Sequence, residues 1–192
     1  MGLSRKQVSD VDTLRALAHP LRVRLLGTLR LDGPATASEL GRRFGESSGS
    51  TSYHLRQLER FGFVVEDDEQ PSRRERRWRA AHDVTSFRPV DFLDEDAGRE
   101  ALTLMEQQQV RALVDTVQSW YRERQAWPRE WVDAADQSDL YLRLRPEDVK
   151  ALSTELLAVV QRWLAIQRPP DDPAARQVTV YLLAVPRTGN AK

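Results

Sequence analysis

Two short helices joined at a glycine constrain the fold of this 192-residue chain more than any other feature. Thr36, with Glu39 three residues later, predicts a capping box, in which each side chain satisfies a backbone N–H at the start of a helix. Gly45 is expected to end that helix, because glycine adopts the left-handed conformation without strain. A second helix follows at once, capped by Ser47 or Ser48.

The second helix, over residues 47–61, divides into two faces. Thr51, Leu55 and Leu58 recur at helical spacing and predict the side that packs on a core. The opposite side is small and polar near its N-terminus and basic further along. That outer side holds Gly49, Ser50, Tyr53, Arg56, Gln57 and Arg60, with Ser52 and His54 flanking it.

A β-hairpin is expected after these helices. Phe63–Val65 is an apolar run that predicts one strand, and residues 76–80 return as the second strand with Trp78 inward. The residues between them form a long charged tip. Helix, glycine turn, helix and hairpin in this order predict a winged helix-turn-helix, in which the hairpin over 66–80 is the wing.

Two further helices are predicted before this motif. Apolar residues recur at helical spacing over residues 10–17 and again over residues 21–31. His19-Pro20 separates the two helices, because the residue before a proline disfavours the helical backbone conformation.

The outer surface of the motif suits double-stranded DNA. Small residues let a helix enter the major groove closely, while Ser, Thr, Gln and Arg side chains read base edges and hold phosphates. Residues 73–79 carry five arginines against one glutamate and are expected along the neighbouring backbone or minor groove. The candidate DNA contacts are Ser48, Ser50, Thr51, Ser52, Tyr53, His54, Arg56, Gln57, Arg60, Arg73, Arg74, Arg76 and Arg77.

The net charge of the chain is zero, with 29 basic and 29 acidic side chains, but it is unevenly distributed. Residues 1–80 carry 15 basic and 11 acidic side chains, a balance of +4, and residues 81–192 carry 14 and 18, a balance of −4. The basic excess therefore coincides with the half that is expected to bind DNA.

The second half predicts an assembly domain. A helix from about Gly98 to Gln125 has an apolar stripe over about six turns, which favours pairing with a second copy of the chain. A strand over Leu140–Leu144, a helix from Pro146 and a strand over Gln177–Val185 are expected to follow. The predicted dimer contacts are Leu102, Met105, Gln109, Leu113, Val117 and Trp120.

These patterns together predict a mainly α fold with a small β component, an α+β protein in three parts. Residues 1–82 are the winged helix-turn-helix domain, 83–97 a connector and 98–192 a dimerisation domain. Four of the five tryptophans fall in the second half of the chain. They favour an ordinary core and dimer interface, and a pocket for a small organic effector is the alternative that they leave open.

Three segments resemble the ArsR-like winged-helix transcription regulators. Residues 14–26, LRALAHPLRVRLL, are similar to the ALAHPxRxxIL opening of that family. Residues 50–58, STSYHLRQL, followed by FGFV at 61–64, resemble its recognition helix, S-x-H-L-x-x-L, and the G-L-V after it. Residues 73–79 resemble the GRxxxYRL wing return, without its glycine and with a longer tip.

The resemblance covers about residues 10–82. It implies that Ser52 and His54 are recognition-helix residues, and that a homodimer acts on a palindromic operator as a repressor. Metal sensing, which is common in the family, is not expected here. The chain has no cysteine, and its histidines, His19, His54 and His82, lie in separate elements without metal-ligand spacing.

Several other classes of function are disfavoured by the sequence. No phosphate-binding loop and no Gly-x-Ser-x-Gly motif occurs, so we expect no enzyme and no cofactor. No long apolar run and no signal-peptide pattern occurs, so a cytoplasmic protein without a membrane partner is expected. The leading prediction is a sequence-specific DNA-binding transcriptional regulator. The alternative is a winged-helix module that binds another protein instead of DNA.

Overall fold

Two units make up the structure, a computed structural model that describes residues 4–69, 76–166, 168–169 and 172–187. The N-terminal unit lies within residues 3–115 and the C-terminal unit within residues 116–192. The helices are α1 (Val11–Leu17), α2 (Pro20–Leu31), α3 (Ala37–Phe44), α4 (Ser48–Arg60), α5 (Asp96–Glu123), α6 (Arg129–Ala134) and α7 (Pro146–Leu164). The strands are β1 (Arg5–Val8), β2 (Ala35–Thr36), β3 (Val64–Glu66), β4 (Arg77–Ala80) and β5 (Val84–Phe87).

Side-chain caps set the starts of the first helices. The carboxylate of Asp10 accepts a hydrogen bond from the Thr13 N–H at 2.8 Å and opens α1. Thr36 and Glu39 form the predicted capping box at the start of α3. Capping satisfies N–H groups that have no partner inside the helix, so these polar positions determine where each helix begins.

The wing belongs to a three-stranded antiparallel sheet in the order β2-β4-β3. Val64 on β3 lies opposite Ala80 on β4, and Glu66 lies opposite Trp78. Trp78 is only 2% exposed, which confirms its predicted inward orientation. The sequence did not predict β2, because two residues are too few to show a strand periodicity.

Residues 83–97 are part of the N-terminal unit, and their interpretation as a connector was wrong. β5 pairs in parallel with β1, and Phe87 lies opposite Val8. Phe92 is buried and contacts Phe87 edge to face, with 6.4 Å between the ring centroids. The pairing joins residues 79 positions apart, such as Arg5 and Val84, and local sequence patterns carry no information about such a distant partner.

The first turns of α5 pack into the core of the N-terminal unit. Ala101, Leu102 and Met105 are buried in one hydrophobic cluster with residues of α1, α2 and α4. Leu102 and Met105, two of the six predicted dimer contacts, are therefore core residues of a single chain. An apolar stripe predicts which face of a helix is buried, but it does not say what buries it.

The C-terminal unit contains α6 and α7, and no strand is found among its described residues. α7 begins at Pro146, as predicted. The expected strands over Leu140–Leu144 and Gln177–Val185 are absent, which corrects the strand–helix–strand prediction. An alternating pattern predicts which side chains share a face, but a strand also needs a hydrogen-bonded partner strand. Apolar side chains in these segments are highly exposed: Leu140 is 82% and Leu183 is 75% exposed.

None of the helices in the described residues combines the length and the apolar character that crossing a membrane requires.

Candidate nucleic-acid interface

A three-residue turn, Gly45 to Ser47, joins α3 to α4. Gly45 has φ 69°, the left-handed conformation expected at this position. The Ser47 hydroxyl accepts a hydrogen bond from the Ser50 N–H at 3.1 Å and caps α4. Gly41 lets the turn approach α3, because a Cβ at this position would lie 2.8 Å from the Glu46 carbonyl oxygen. These contacts fix the direction in which α4 leaves the turn.

The inner face of α4 is anchored as the sequence predicts. Thr51, Leu55 and Leu58 are each 0% exposed. The Thr51 hydroxyl donates to the Ser47 carbonyl oxygen at 3.0 Å. Thr51 was also among the candidate DNA contacts, and its burial removes it from that set, since a residue at this position of the helix cannot face both the core and solvent.

The outer face of α4 is open to solvent. Tyr53 is 57% exposed, and Arg56 and Arg60 follow it at steps of three and four residues. Gly49, one helical turn before Tyr53, is also exposed and adds no side chain that would hold a groove away. Of the other candidate contacts, Ser48 is exposed, whereas Ser50, Ser52 and Gln57 are half-buried.

His54 packs inward instead of reaching outward. Its ring lies against that of His19 at the start of α2, with 4.4 Å between the ring centroids. The Nδ1 atom of His54 is buried and has no hydrogen-bond partner among the described residues. The sequence suggested neither the contact between the two rings nor the orientation of His54, because their separation of 35 positions hides the pairing.

The wing arginines are balanced by acids on the opposite strand. The Arg76 guanidinium lies 2.7 Å from a carboxylate oxygen of Glu66. Arg79 lies 3.8 Å from Asp67 and 3.6 Å from Asp68. Residues 66–79 hold five arginines and five acidic residues, so the wing as a whole is neutral. The prediction of a basic wing considered only one strand of the hairpin.

Arg77 is tied into the sheet. Its Nε and Nη2 atoms donate to the Pro34 carbonyl oxygen at 3.2 and 3.1 Å, and Nε lies 3.7 Å from a carboxylate oxygen of Asp67. Half-buried and bonded in this way, Arg77 joins the base of the wing to the loop before α3. Arg73 and Arg74, the remaining wing candidates, lie outside the described residues.

Replacing Arg77 by Ala is expected to lower the free energy of unfolding by about 1.5–3 kcal/mol, because the Pro34 carbonyl loses both charged donors. Arg76→Ala is the matched control, and we expect it to lower the same free energy by less than about 1 kcal/mol, since its ion pair with Glu66 is largely exposed. Urea denaturation measures both values. Equal losses would show that the two arginines have the same structural role.

Tryptophans of the C-terminal unit contact one another edge to face. Trp120 and Trp127 have ring centroids 5.7 Å apart, and Trp127 and Trp131 have them 6.1 Å apart. Arg124 and Arg129 lie beside Trp127 around a hollow of about 740 Å³ that is largely open to solvent. Such an open surface fits either an interface or a ligand pocket, so both interpretations of these tryptophans stay open.

Within the described ranges, no cluster of three or more His, Asp or Glu side chains is placed to hold a metal ion.

Residues 17–67 match the family model described as a helix-turn-helix domain. The segment folds as a helix-turn-helix. It contains α3, the glycine turn and the two-faced α4 described above, and β3 follows them as the first strand of the wing. No curated protein matches the chain.

Similar solved structures include transcriptional regulators. A transcriptional regulator from Thermotoga maritima is 13% identical, with 78% of this chain and 81% of that chain covered and a TM-score of 0.32. A MarR family regulator from Neisseria meningitidis is 14% identical, with 79% and 78% covered and a TM-score of 0.29. Streptococcus pneumoniae FabT, in complex with DNA, is 14% identical, with 76% and 77% covered and a TM-score of 0.28.

Proposed function

We propose that this protein is a sequence-specific DNA-binding transcriptional regulator that resembles the ArsR-like regulators. The observation that carries the proposal is the exposed face of α4, the second helix of a helix-turn-helix. Its buried face, Thr51 with Leu55 and Leu58, holds the helix rigidly while Tyr53 and Arg56 face solvent. A fixed helix with a polar and basic outer face is what reading a major groove requires.

The proposed contacts divide by chemistry. Arg56 has the planar fork that pairs with the two acceptors of a guanine edge, and Gln57 can pair in the same way with adenine. Arg60, near the end of α4, and Ser48, at its start, are placed for phosphates on either side of the groove. Arg76 can turn from Glu66 to a phosphate, because their ion pair is exposed and weak.

A homodimer is part of the proposal, and the C-terminal unit supports it. Every residue that the structure describes as buried lies in the N-terminal unit. A segment of this size without a buried core would not stay folded in water, since apolar burial is the main favourable term in folding. A second copy of the chain would cover its exposed apolar side chains in the simplest way, by a two-fold contact.

The proposed dimer helix is α5, on a stripe that shares only Val117 with the predicted one. Val110 and Val114 are exposed, as is Tyr121 seven residues further on, and Val117 between them is half-buried. Steps of four, three and four residues are the spacing of a coiled-coil seam. Two reading helices related by a two-fold axis fit a palindromic operator, and its occupation would repress transcription.

One observation supports the alternative function, a module that binds another protein: the wing is neutral. A wing with equal numbers of arginines and acids attracts phosphate less than the sequence analysis expected, and it would suit a protein surface of mixed charge. Under this alternative α4 would be a docking face and DNA affinity would be absent.

DNA selection decides between the two functions. We expect the full chain to enrich a palindromic site from a pool of random duplexes. Binding to that duplex should weaken by about 10³-fold or more between 50 and 200 mM salt if six or more phosphates are contacted. If no sequence is enriched and the chain does not bind DNA even at 50 mM salt, the proposal of a DNA-binding regulator is rejected. The protein-interaction module then remains.

A further inference from the structure

Two histidines meet where α4, the proposed recognition helix, touches the start of α2. The Nδ1 atom of His19 accepts a hydrogen bond from the Leu21 N–H at 3.2 Å, so His19 caps α2 through its unprotonated nitrogen. Pro20 has no N–H, and Leu21 is therefore the first donor that α2 presents. This cap exists only while the Nδ1 atom of His19 has a free lone pair.

His54 approaches the same point from α4. Its ring is tilted by 35° against the ring of His19, and Tyr53 contacts it edge to face with 5.2 Å between centroids. Because the Nδ1 atom of His54 is buried without a partner among the described residues, a proton added there would have no acceptor. Each imidazole therefore fits its place best in the neutral form.

The surroundings of the two rings, taken together, oppose protonation. Burial lowers the pKa of His19 and that of His54, and the guanidinium of Arg22 on α2 lowers both further. A charge on His54 also lowers the pKa of His19. Glu46, in the turn before α4, raises both pKa values but does not outweigh the other effects. Tyr53 also faces Arg22.

We propose that the contact between His19 and His54 is an acid-sensitive joint, which holds α4 on α2 when both rings are neutral and releases it when they are protonated. Acidification would then weaken DNA binding by the recognition helix. The regulatory consequence rests on the proposed DNA-binding function, whereas the joint itself does not.

The direction of the pH effect follows from the lowered pKa values. An unfolded histidine titrates near pH 6.5, and the folded chain resists protonation to lower pH, so the unfolded state binds more protons in between. The contribution of the joint to stability is complete above about pH 7.5 and is lost progressively as the pH falls from 6.5 through the lowered pKa values of the two folded histidines. Each histidine can change the unfolding constant by up to about 10-fold per pH unit.

Urea unfolding of the full chain between pH 5.5 and 8 tests the joint. This window lies above the range of Glu39 and Asp83, carboxylates whose pKa values hydrogen bonds keep low. We expect the double variant His19→Asn/His54→Gln to lose most of the acid sensitivity of the wild type. His82→Gln is the matched control and should keep all of it, because His82 lies outside the joint.

Two single variants keep the test decisive if the double variant does not fold. His19→Asn retains an acceptor for the Leu21 N–H, and His54→Gln removes only the ring on α4. Each is expected to lose about half of the acid sensitivity. Acid sensitivity that is equal in the wild type and in every folded variant would overturn the proposal.

The second test of the joint measures DNA binding as a function of pH at constant ionic strength. We expect wild-type affinity for the selected duplex to fall once the pH drops below 6.5, by up to about 10-fold per histidine and pH unit, and to fall about half as steeply in His54→Gln. Tighter wild-type binding at pH 6 that His54→Gln abolishes would show a phosphate contact instead and reject the joint. If no DNA binds at pH 7.5, the regulator proposal fails, while urea unfolding still decides on the joint.

Discussion

Specific DNA affinity is expected to fall by about 30-fold or more when Arg56 and Gln57 are both replaced by Ala. Each side chain can make a bidentate contact to a base edge, and each such contact contributes about 1–3 kcal/mol of discrimination. Binding to a scrambled duplex should fall much less, since only one charge is lost. Fluorescence anisotropy with the selected and the scrambled duplex measures both losses.

The control for this prediction is Arg42→Ala, which removes an exposed arginine of α3 that is not a candidate contact. It should lower both affinities slightly and by the same factor. If Arg56→Ala/Gln57→Ala also lowers both affinities equally, the two residues contact phosphates only and the specificity lies elsewhere.

Replacing Val110 and Val114 by Glu is expected to convert the proposed dimer into monomers. The two substitutions place four like charges in the proposed seam, where apolar side chains of two helices meet. Affinity for a two-half-site operator should then fall by about 10²–10⁴-fold, because the second half-site no longer binds at high effective concentration. Light scattering gives the mass, and anisotropy gives the affinity.

Two comparisons separate this seam from the stripe that the sequence predicted. Arg111→Glu changes a charge on an exposed neighbouring position of α5 and should leave the dimer intact. Leu102→Ala should instead destabilise the monomer fold by about 2–5 kcal/mol, because Leu102 is buried in the core. A Val110→Glu/Val114→Glu variant that stays dimeric would place the interface on other exposed apolar segments, such as Leu140–Leu144.

The helix-turn-helix was predictable because its signals are local. The capping box of Thr36 and Glu39, the left-handed Gly45 and the inward face of α4 at Thr51 each depend on neighbours no more than four positions away. Local backbone chemistry decides such features, and the structure confirms them. The helical spacing that predicts Leu55 on the buried face of α4 also predicts its neighbour Arg56 on the exposed face. The exposed side of the candidate interface was therefore predictable from the buried side.

The features that were missed depend on distant partners. β1 and β5 pair across 79 positions, and Arg76 meets Glu66 across the hairpin. The first turns of α5 bury Leu102 against other helices of the same chain instead of a second copy. A periodic stripe and a run of arginines are each compatible with several partners, and only the fold determines which partner is present.

Thr36 belongs to two structures at once. Its backbone lies opposite Arg77 in the sheet that carries the wing, and its side chain caps the helix that precedes the recognition helix. Ala35 pairs with the same wing strand, and Arg77 binds the Pro34 carbonyl, so the wing and α3 are joined without a flexible linker. Under the proposed function, the wing and α4 are therefore expected to move along DNA as one rigid unit.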